Sequence, residues 1–256
     1  QGVADVLASV LATLAPPPDL TVSQWADEHR YISGQTSFYA GKWNTDRFPY
    51  QRSLMDAIHR PGVDKIVMML GSQVGKTEAL LNIVYWFSHL DPCPIMYILP
   101  SVLLAKDFTK ERFDPTVRAT PQLRKLFSEP KSKDGENTRL YKGLVNSDDG
   151  FLIFSGANSA ASLRSRPIRV LLADEADAYP ADVEGEGDPF ALVDARTKRF
   201  PNRLRVLVST PTNKSTSRIY KEFLQGRRRR THRRQARWTI IVSTQSPKRY
   251  CRWMLP

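Results

Sequence analysis

In "LGSQVGKTEALL" (residues 70–81) a lysine stands between a glycine and a threonine at the point where an apolar run gives way to a helical pattern. The stretch follows the phosphate-binding pattern G-x-x-x-x-G-K-[ST] except at its opening position, which Leu70 occupies, with Gly71 one place late. Phosphate is held where backbone N–H groups converge on it and a helix begins, because the helix dipole adds positive potential there. Gly75 lets the backbone come close, Lys76 can reach β and γ oxygens, and Thr77 can offer its hydroxyl to Mg²⁺, with Ser72, Gln73 and Val74 forming the cradle. Gly71 can still relax the turn.

Such a loop needs a carboxylate partner, since Mg²⁺ on a triphosphate takes hard oxygen ligands and an attacking water must be polarised. "RVLLADEADAYP" (169–180) offers Asp174 for the metal's water shell and Glu175 for the water, while Asp177 reads as a helix-start or surface residue. "VLVSTPT" (206–212) delivers Ser209, Thr210 and Thr212, hydroxyls that can sense a γ-phosphate and pass on its loss, or that simply form a polar turn around Pro211. In "SLRSRPIR" (162–169), Arg164 and Arg166 are candidates for an arginine finger acting on a neighbouring subunit or for a contact to DNA phosphate; ordinary surface pairing is the other reading. Gln51, in "PYQ", can read an adenine edge with its amide donor and acceptor, or be a solvated helix residue.

These groups must be positioned by a sheet. The runs 65–70, 94–100, 150–156, 169–173 and 203–209 read as buried strands, separated by helical patterns at 76–90, after 101, at 188–200 and at 216–225. Alternating buried strands and helices predict an α/β fold with a mainly parallel central sheet and helices on both faces. The acids and hydroxyls then fall at the carboxyl ends of strands, where open sheets bind ligands. Before the sheet come a short apolar helix (3–14), the linker "APPPDL", a helix in "TVSQWADEHRYI" capped by Thr21 or Ser23, and another in "FPYQRSLMDAIHRPG".

Net charge narrows the partners. The chain carries +12, yet residues 226–256 hold 10 Lys and Arg and no acid, leaving 28 basic and 26 acidic residues before them. The excess belongs to the tail, which is either a solvated basic segment or an arm for any polyanion. Cys93 and Cys251 are isolated from each other and from the histidines, so each reads as a structural thiol. Without a long apolar run or a basic leader, no membrane insertion or export is expected, and a cytosolic setting follows.

Taken together, "TVSQWADEHRYIS", "RFPYQRSLMDAI", "GSQVGKTEALLN", "ATPQLR", "SGANSAASLRSRPIRVLLADEADAYP", "GEGDPFALVDARTKRF" and "VLVSTPTNKSTSRIY" make the chain resemble the large terminase subunits of tailed bacteriophages, in particular the lambda-like branch, over about residues 20–222. The resemblance implies a P-loop NTPase of the additional-strand, RecA-like kind, with an N-terminal helical, adenine-side subdomain (1–60), an ATPase core (61–225) and the basic tail (226–256). It also implies a motor that couples Mg²⁺-ATP hydrolysis to threading double-stranded DNA through a portal into a procapsid. Its expected partners are the portal protein and a small terminase subunit, its assembly a homo-oligomeric ring, and its place the cytoplasm of a bacterial host. Lys76 and Thr77 match the family's phosphate loop, Asp174 and Glu175 its acidic strand, Ser209-Thr210-Pro211 its coupling motif, and Gln51 lies near its adenine segment. Some members carry an arginine inside the loop; Ser72 and Gln73 stand there instead, which turns attention to Arg164 and Arg166. Members continue into an RNase H type nuclease, whereas the last 31 residues hold no acid, so no nuclease activity is expected and a truncated or out-of-frame C-terminus is. Two other readings stay open: a helicase-like nucleic-acid translocase, and an inactive fragment that binds DNA through its arginine tail.

Overall fold

Continuous apolar runs suit strands covered on both faces, and the chain folds on that plan. The computed structural model describes residues 18–35, 39–127, 138–145, 147–225, 227–231 and 240–245. The helix expected at 3–14, most of the polar stretch 128–139 and Cys251 lie outside these residues. The chain first builds helix α1 (Val22–His29), a hairpin of β1 (Tyr31–Ile32) and β2 (Gly41–Lys42), and helix α2 (Tyr50–Met55), which runs on as a 3-10 turn over Asp56–His59. Thr21 caps α1 in a reciprocal arrangement with Gln24, which satisfies two otherwise unpaired N–H groups. The core follows as β3 (Lys65–Met69), α3 (Lys76–Leu90), β4 (Pro94–Leu99), α4 (Val102–Phe108), a π-turn over Thr109–Phe113, α5 (Asp114–Ala119) and α6 (Pro121–Leu126). It continues with β5 (Tyr141–Gly143), β6 (Phe151–Gly156), α7 (Ala160–Arg164), β7 (Val170–Ala173), α8 (Pro189–Thr197), β8 (Leu204–Ser209) and α9 (Arg218–Leu224).

Five parallel strands lie in the order β6-β4-β7-β8-β3, with β5 antiparallel along the β6 edge. The strand that carries the acids is therefore separated from the strand that feeds the phosphate loop by one inserted strand, β8, as an additional-strand P-loop fold requires. Alternate residues face opposite ways. Ile66, Met68 and Leu70 join Tyr97, Leu172 and Val206 beneath α3 and the N-terminal helices, while Val67, Ile98, Leu171 and Leu207 pack under α7, α8 and α9.

The basic segment after 225 is not wholly a tail. Strands β9 (Arg227–Thr231) and β10 (Ile240–Gln245) form a hairpin, and β10 pairs antiparallel with β3, so that Ile241 lies opposite Met69. Composition pointed to a separate arm because arginine dominates it. The β-branched run "TIIV" and the open hydrogen-bonding edge of β3 favour added strands instead. Among the described residues, no helix is long and apolar enough to cross a membrane.

Helix α1 is held by two neutral imidazoles, His89 of α3 and His59 of the 3-10 turn after α2. Trp25 is fully buried and its indole N–H donates to His89 Nδ1 at 2.9 Å; the Val22 N–H donates to His59 Nε2 at 3.1 Å, and the His59 ring meets Trp86 edge-on. A protonated ring nitrogen cannot accept either bond. Burial lowers the pKa of both, opposed at His59 by Asp56 and Asp19 and reinforced at His89 by His29. With folded values below the unfolded one, this contribution to stability is fully present above about pH 6.5 and declines as pH falls through the folded values. Urea unfolding should therefore show stability falling as pH is lowered below about 6.5. His59→Gln and His89→Asn, which keep an acceptor near the same place but do not titrate, should flatten that decline.

Candidate active site

Leu70 belongs to the strand. It is buried, and its N–H continues the β3–β8 ladder by donating to the Ser209 carbonyl at 3.1 Å. The turn that follows is not relaxed by Gly71, whose φ stays outside the left-handed region; the residues that enter it are Gln73 (φ 58°) and Gly75 (φ 72°). A side chain at φ > 0 costs about 1–2 kcal/mol, so the loop stores strain at Gln73 and avoids it at Gly75. Gly75 also leaves room for the N-terminal segment, because a Cβ there would run into Gln51 Nε2. Ser72 and Gln73 are exposed on the outer side of the loop, and Lys76 opens α3 immediately after Gly75, leaving first-turn N–H groups free for an anion.

Gln51 is buried at 1% exposure and clasps the loop from behind. Its amide nitrogen donates to the Val74 carbonyl at 3.2 Å and the Gly75 carbonyl at 3.3 Å, while the Tyr50 hydroxyl donates to Val74 at 2.9 Å. Reading an adenine edge with donor and acceptor together is thus not open to Gln51 in this structure, since both amide protons have backbone partners. Its buried Oε1 has no protein partner. Gln51 and Tyr50 line a cavity of about 300 Å³ with Tyr39, Trp43 and Phe48 beside the loop residues Gln73 to Gly75.

The charged groups converge in front of the loop. Lys76 is buried, and its ammonium reaches the Gly71 carbonyl (3.2 Å), the Thr210 hydroxyl (2.6 Å) and Glu175 Oε1 (3.2 Å). Thr77 Oγ1 donates to Asp174 Oδ2 at 2.8 Å, and the Tyr97 hydroxyl donates to the same oxygen at 2.8 Å. Burial raises the Asp174 pKa against the pull of those two hydroxyls, and burial plus the Asp174 carboxylate holds the Tyr97 phenol well above its usual range. Tyr97 is the group that sequence reasoning missed here; its signal is a lone hydroxyl inside the buried run "PIMYILP". Glu175 is half exposed and itself left-handed (φ 51°), a conformation that a glutamate keeps only under constraint. Thr77 and Asp174 supply hard oxygens at a helix start, the donor set that suits Mg²⁺, which takes one or two protein ligands and fills the rest with water and phosphate.

The hydroxyl strand reaches the same place from between the two others. Ser209 lies in register with Met69, and its Oγ accepts from the Asp177 N–H at 3.1 Å. Thr212 does not reach Lys76; its N–H (2.9 Å) and hydroxyl (3.0 Å) both donate to Asp177 Oδ2, while Oδ1 accepts from the Ile219 N–H at 2.7 Å. Asp177 does stand in the first turn of a short 3-10 helix, as a helix-start residue would, but its carboxylate is also a buttress for two other segments. Burial raises its pKa, but the bonds from Ile219, Ser217 and Thr212 outweigh this and hold the carboxyl below its usual range.

Arg164 and Arg166 stand apart from this cluster. Arg164 pairs with Glu186, and the Arg166 guanidinium sits 4.9 Å from the Tyr141 ring centroid and 5.5 Å from that of Phe151. Cys93 is buried beside Arg169, its thiol pushed up to about 12 chiefly by burial, which suits a structural thiol.

Residues 37–234 match the family model described as the phage terminase large subunit gpA, ATPase domain. The chain is 30% identical over 221 residues to the large terminase subunit of Enterobacteria phage P21, covering 85% of this chain and 33% of that protein. It is 29% identical over 211 residues to the large terminase subunit of Escherichia phage lambda, covering 82% and 32%. The chain thus spans about a third of the length of these relatives. The Thermus phage P74-26 large terminase ATPase domain superposes with a TM-score of 0.44 at 18% identity, over 67% of this chain and 68% of that one. A loop, acids and inserted hydroxyl strand in this arrangement, under a family match that covers most of the sequence, place the chain in the phage terminase large-subunit gpA ATPase-domain family.

Proposed function

We propose that this chain is the ATP-hydrolysing part of a phage DNA-packaging motor, coupling Mg²⁺-ATP hydrolysis to translocation of double-stranded DNA into a procapsid. The observation that carries this reading is the convergence, at the carboxyl ends of β3, β7 and β8, of Lys76 bonded to Thr210 and Glu175 and of the next residue, Thr77, bonded to Asp174. Gly71, Ser72, Gln73, Val74 and Gly75 wrap the phosphates, and the α3 start adds its dipole. The aromatic cavity beside Gln51 takes the base, with the unpartnered Gln51 Oε1 as acceptor for an exocyclic amine. Thr77 and Asp174 are the residues that would hold Mg²⁺, which would supply neutralisation of phosphate charge.

Lys76 needs an anionic or oxygen partner in any state. A γ-phosphate competes with Glu175 and Thr210 for the ammonium, and Glu175, so released, becomes the base that polarises the attacking water. Thr210, released with it, reports occupancy to the Ser209–Thr212 loop. Arg164 or Arg166, both exposed and neither bonded to the Lys76 cluster, is suited to complete the site of a neighbouring subunit in a ring. Portal protein, small subunit and DNA are the expected partners, and the host cytoplasm the setting.

Lys76→Ala should abolish binding of a fluorescent ATP analogue, and Glu175→Gln should keep binding but slow DNA-stimulated hydrolysis by about 10²-fold or more. Undiminished phosphate release in both variants would remove the site assignment, and separation of duplex strands by the wild type would favour a helicase-like translocase. Gly75→Ala should lower thermal stability by the equivalent of about 1–2 kcal/mol from the left-handed cost, with weaker nucleotide binding added because Gln51 must move.

A further inference from the structure

Three segments that are remote in sequence meet on one carboxylate. Asp177 sits in the 3-10 turn Ala176–Ala178, two residues after Glu175. Its backbone N–H holds Ser209 of β8, its Oδ2 takes both donors of Thr212, and its Oδ1 takes the Ile219 N–H in the first turn of α9. That helix is further tied to the acidic turn by Arg218, which pairs with Asp188 and donates to the Pro180 carbonyl at 2.6 Å. Thr210, between the two anchored residues Ser209 and Thr212, is the group that touches Lys76. A change in the partner of Lys76 thus acts on a loop whose two ends are fastened to one residue, and that residue is fastened to α9.

We propose that Asp177 is a positioning residue that makes the acidic turn, the Ser209–Thr212 loop and α9 respond to nucleotide as one body, so that α9 is the output element of the site. This rests on the proposed nucleotide reading of the Lys76 cluster. Asp177 touches no reacting atom; it acts by fixing where Glu175 and Thr210 stand. Asparagine at 177 has a single acceptor oxygen, and so can serve Thr212 or Ile219 but not both.

The test is hydrogen–deuterium exchange of the whole chain with ADP and with a non-hydrolysable ATP analogue, read at the amides of residues 218–224, alongside the affinity for each nucleotide. In the wild type, exchange at these amides should differ between the two nucleotides. In Asp177→Asn and Asp177→Ala the affinity should persist and the difference at α9 should be lost; in Asp182→Asn, which disturbs only the neighbouring turn at Gly185 and Gly187, it should remain. Where the Asp177 variants do not fold, Thr212→Val, which removes one of the bonds, should weaken the same difference. A nucleotide-dependent α9 response that survives in folded Asp177 variants, or that stays at full size in Thr212→Val, overturns the proposal, as does its absence in a wild type that binds both nucleotides. A wild type that binds neither overturns the reading of the site itself, and the proposal with it.

Discussion

A buried ammonium organises this molecule. Taking Lys76 out of water costs several kcal/mol unless oxygen atoms surround it, and at 6% exposure it has little solvent to draw on. Its three partners come from different places: Gly71 from the loop after β3, Thr210 from the end of β8, Glu175 from the end of β7. They can meet only if those strands are parallel, adjacent and in register, with Met69 beside Ser209 and Ala173 beside Leu207. Two residues off their preferred backbone, Gln73 and Glu175, show where the requirement is strongest. Local strain of this kind persists where surrounding contacts over-determine the geometry.

The N-terminal segment holds the loop from the other side. Gln51 and Tyr50 hang on its carbonyls, and Arg30, at 1% exposure, reaches down to α3. That guanidinium lies 4.5 Å from the Trp43 ring centroid and donates to the Glu78 carbonyl (3.2 Å) and Asn82 Oδ1 (2.5 Å), besides its ion pair with Glu78. Glu78 is in the first turn of α3, directly after the loop. The phosphate loop is therefore held on one side by the N-terminal segment and on the other by the sheet.

Local patterns were legible where an apolar run met a turn. The strand, loop and helix around Gly75 could be read from spacing, and so could the acids after β7, because a period-free apolar stretch ending in carboxylates has few other uses in a parallel sheet. What could not be read is pairing across distance. That β8 inserts between β3 and β7, that β10 extends the sheet beyond β3, and that Asp177 gathers Thr212 and Ile219 are matters of tertiary contact, not of local propensity. The role of Gln51 was half legible: its place near the loop follows from the motif, but its donors are used up by carbonyls that no periodicity reveals. Likewise Gly71 suggested a relaxed turn by residue type, and the chain put the left-handed residues two and four positions later, at Gln73 and Gly75.

The near-collision between Gly75 and Gln51 has a steric corollary. Two positions 24 residues apart in the chain share one small volume, so a side chain added at 75 requires the end of Gln51 to move. Shortening residue 51 would relieve only the steric part of that cost, because any side chain at 75 would still carry the left-handed φ of 72°. The loop and the segment that clasps it are therefore one steric unit, although the chain places them 24 residues apart.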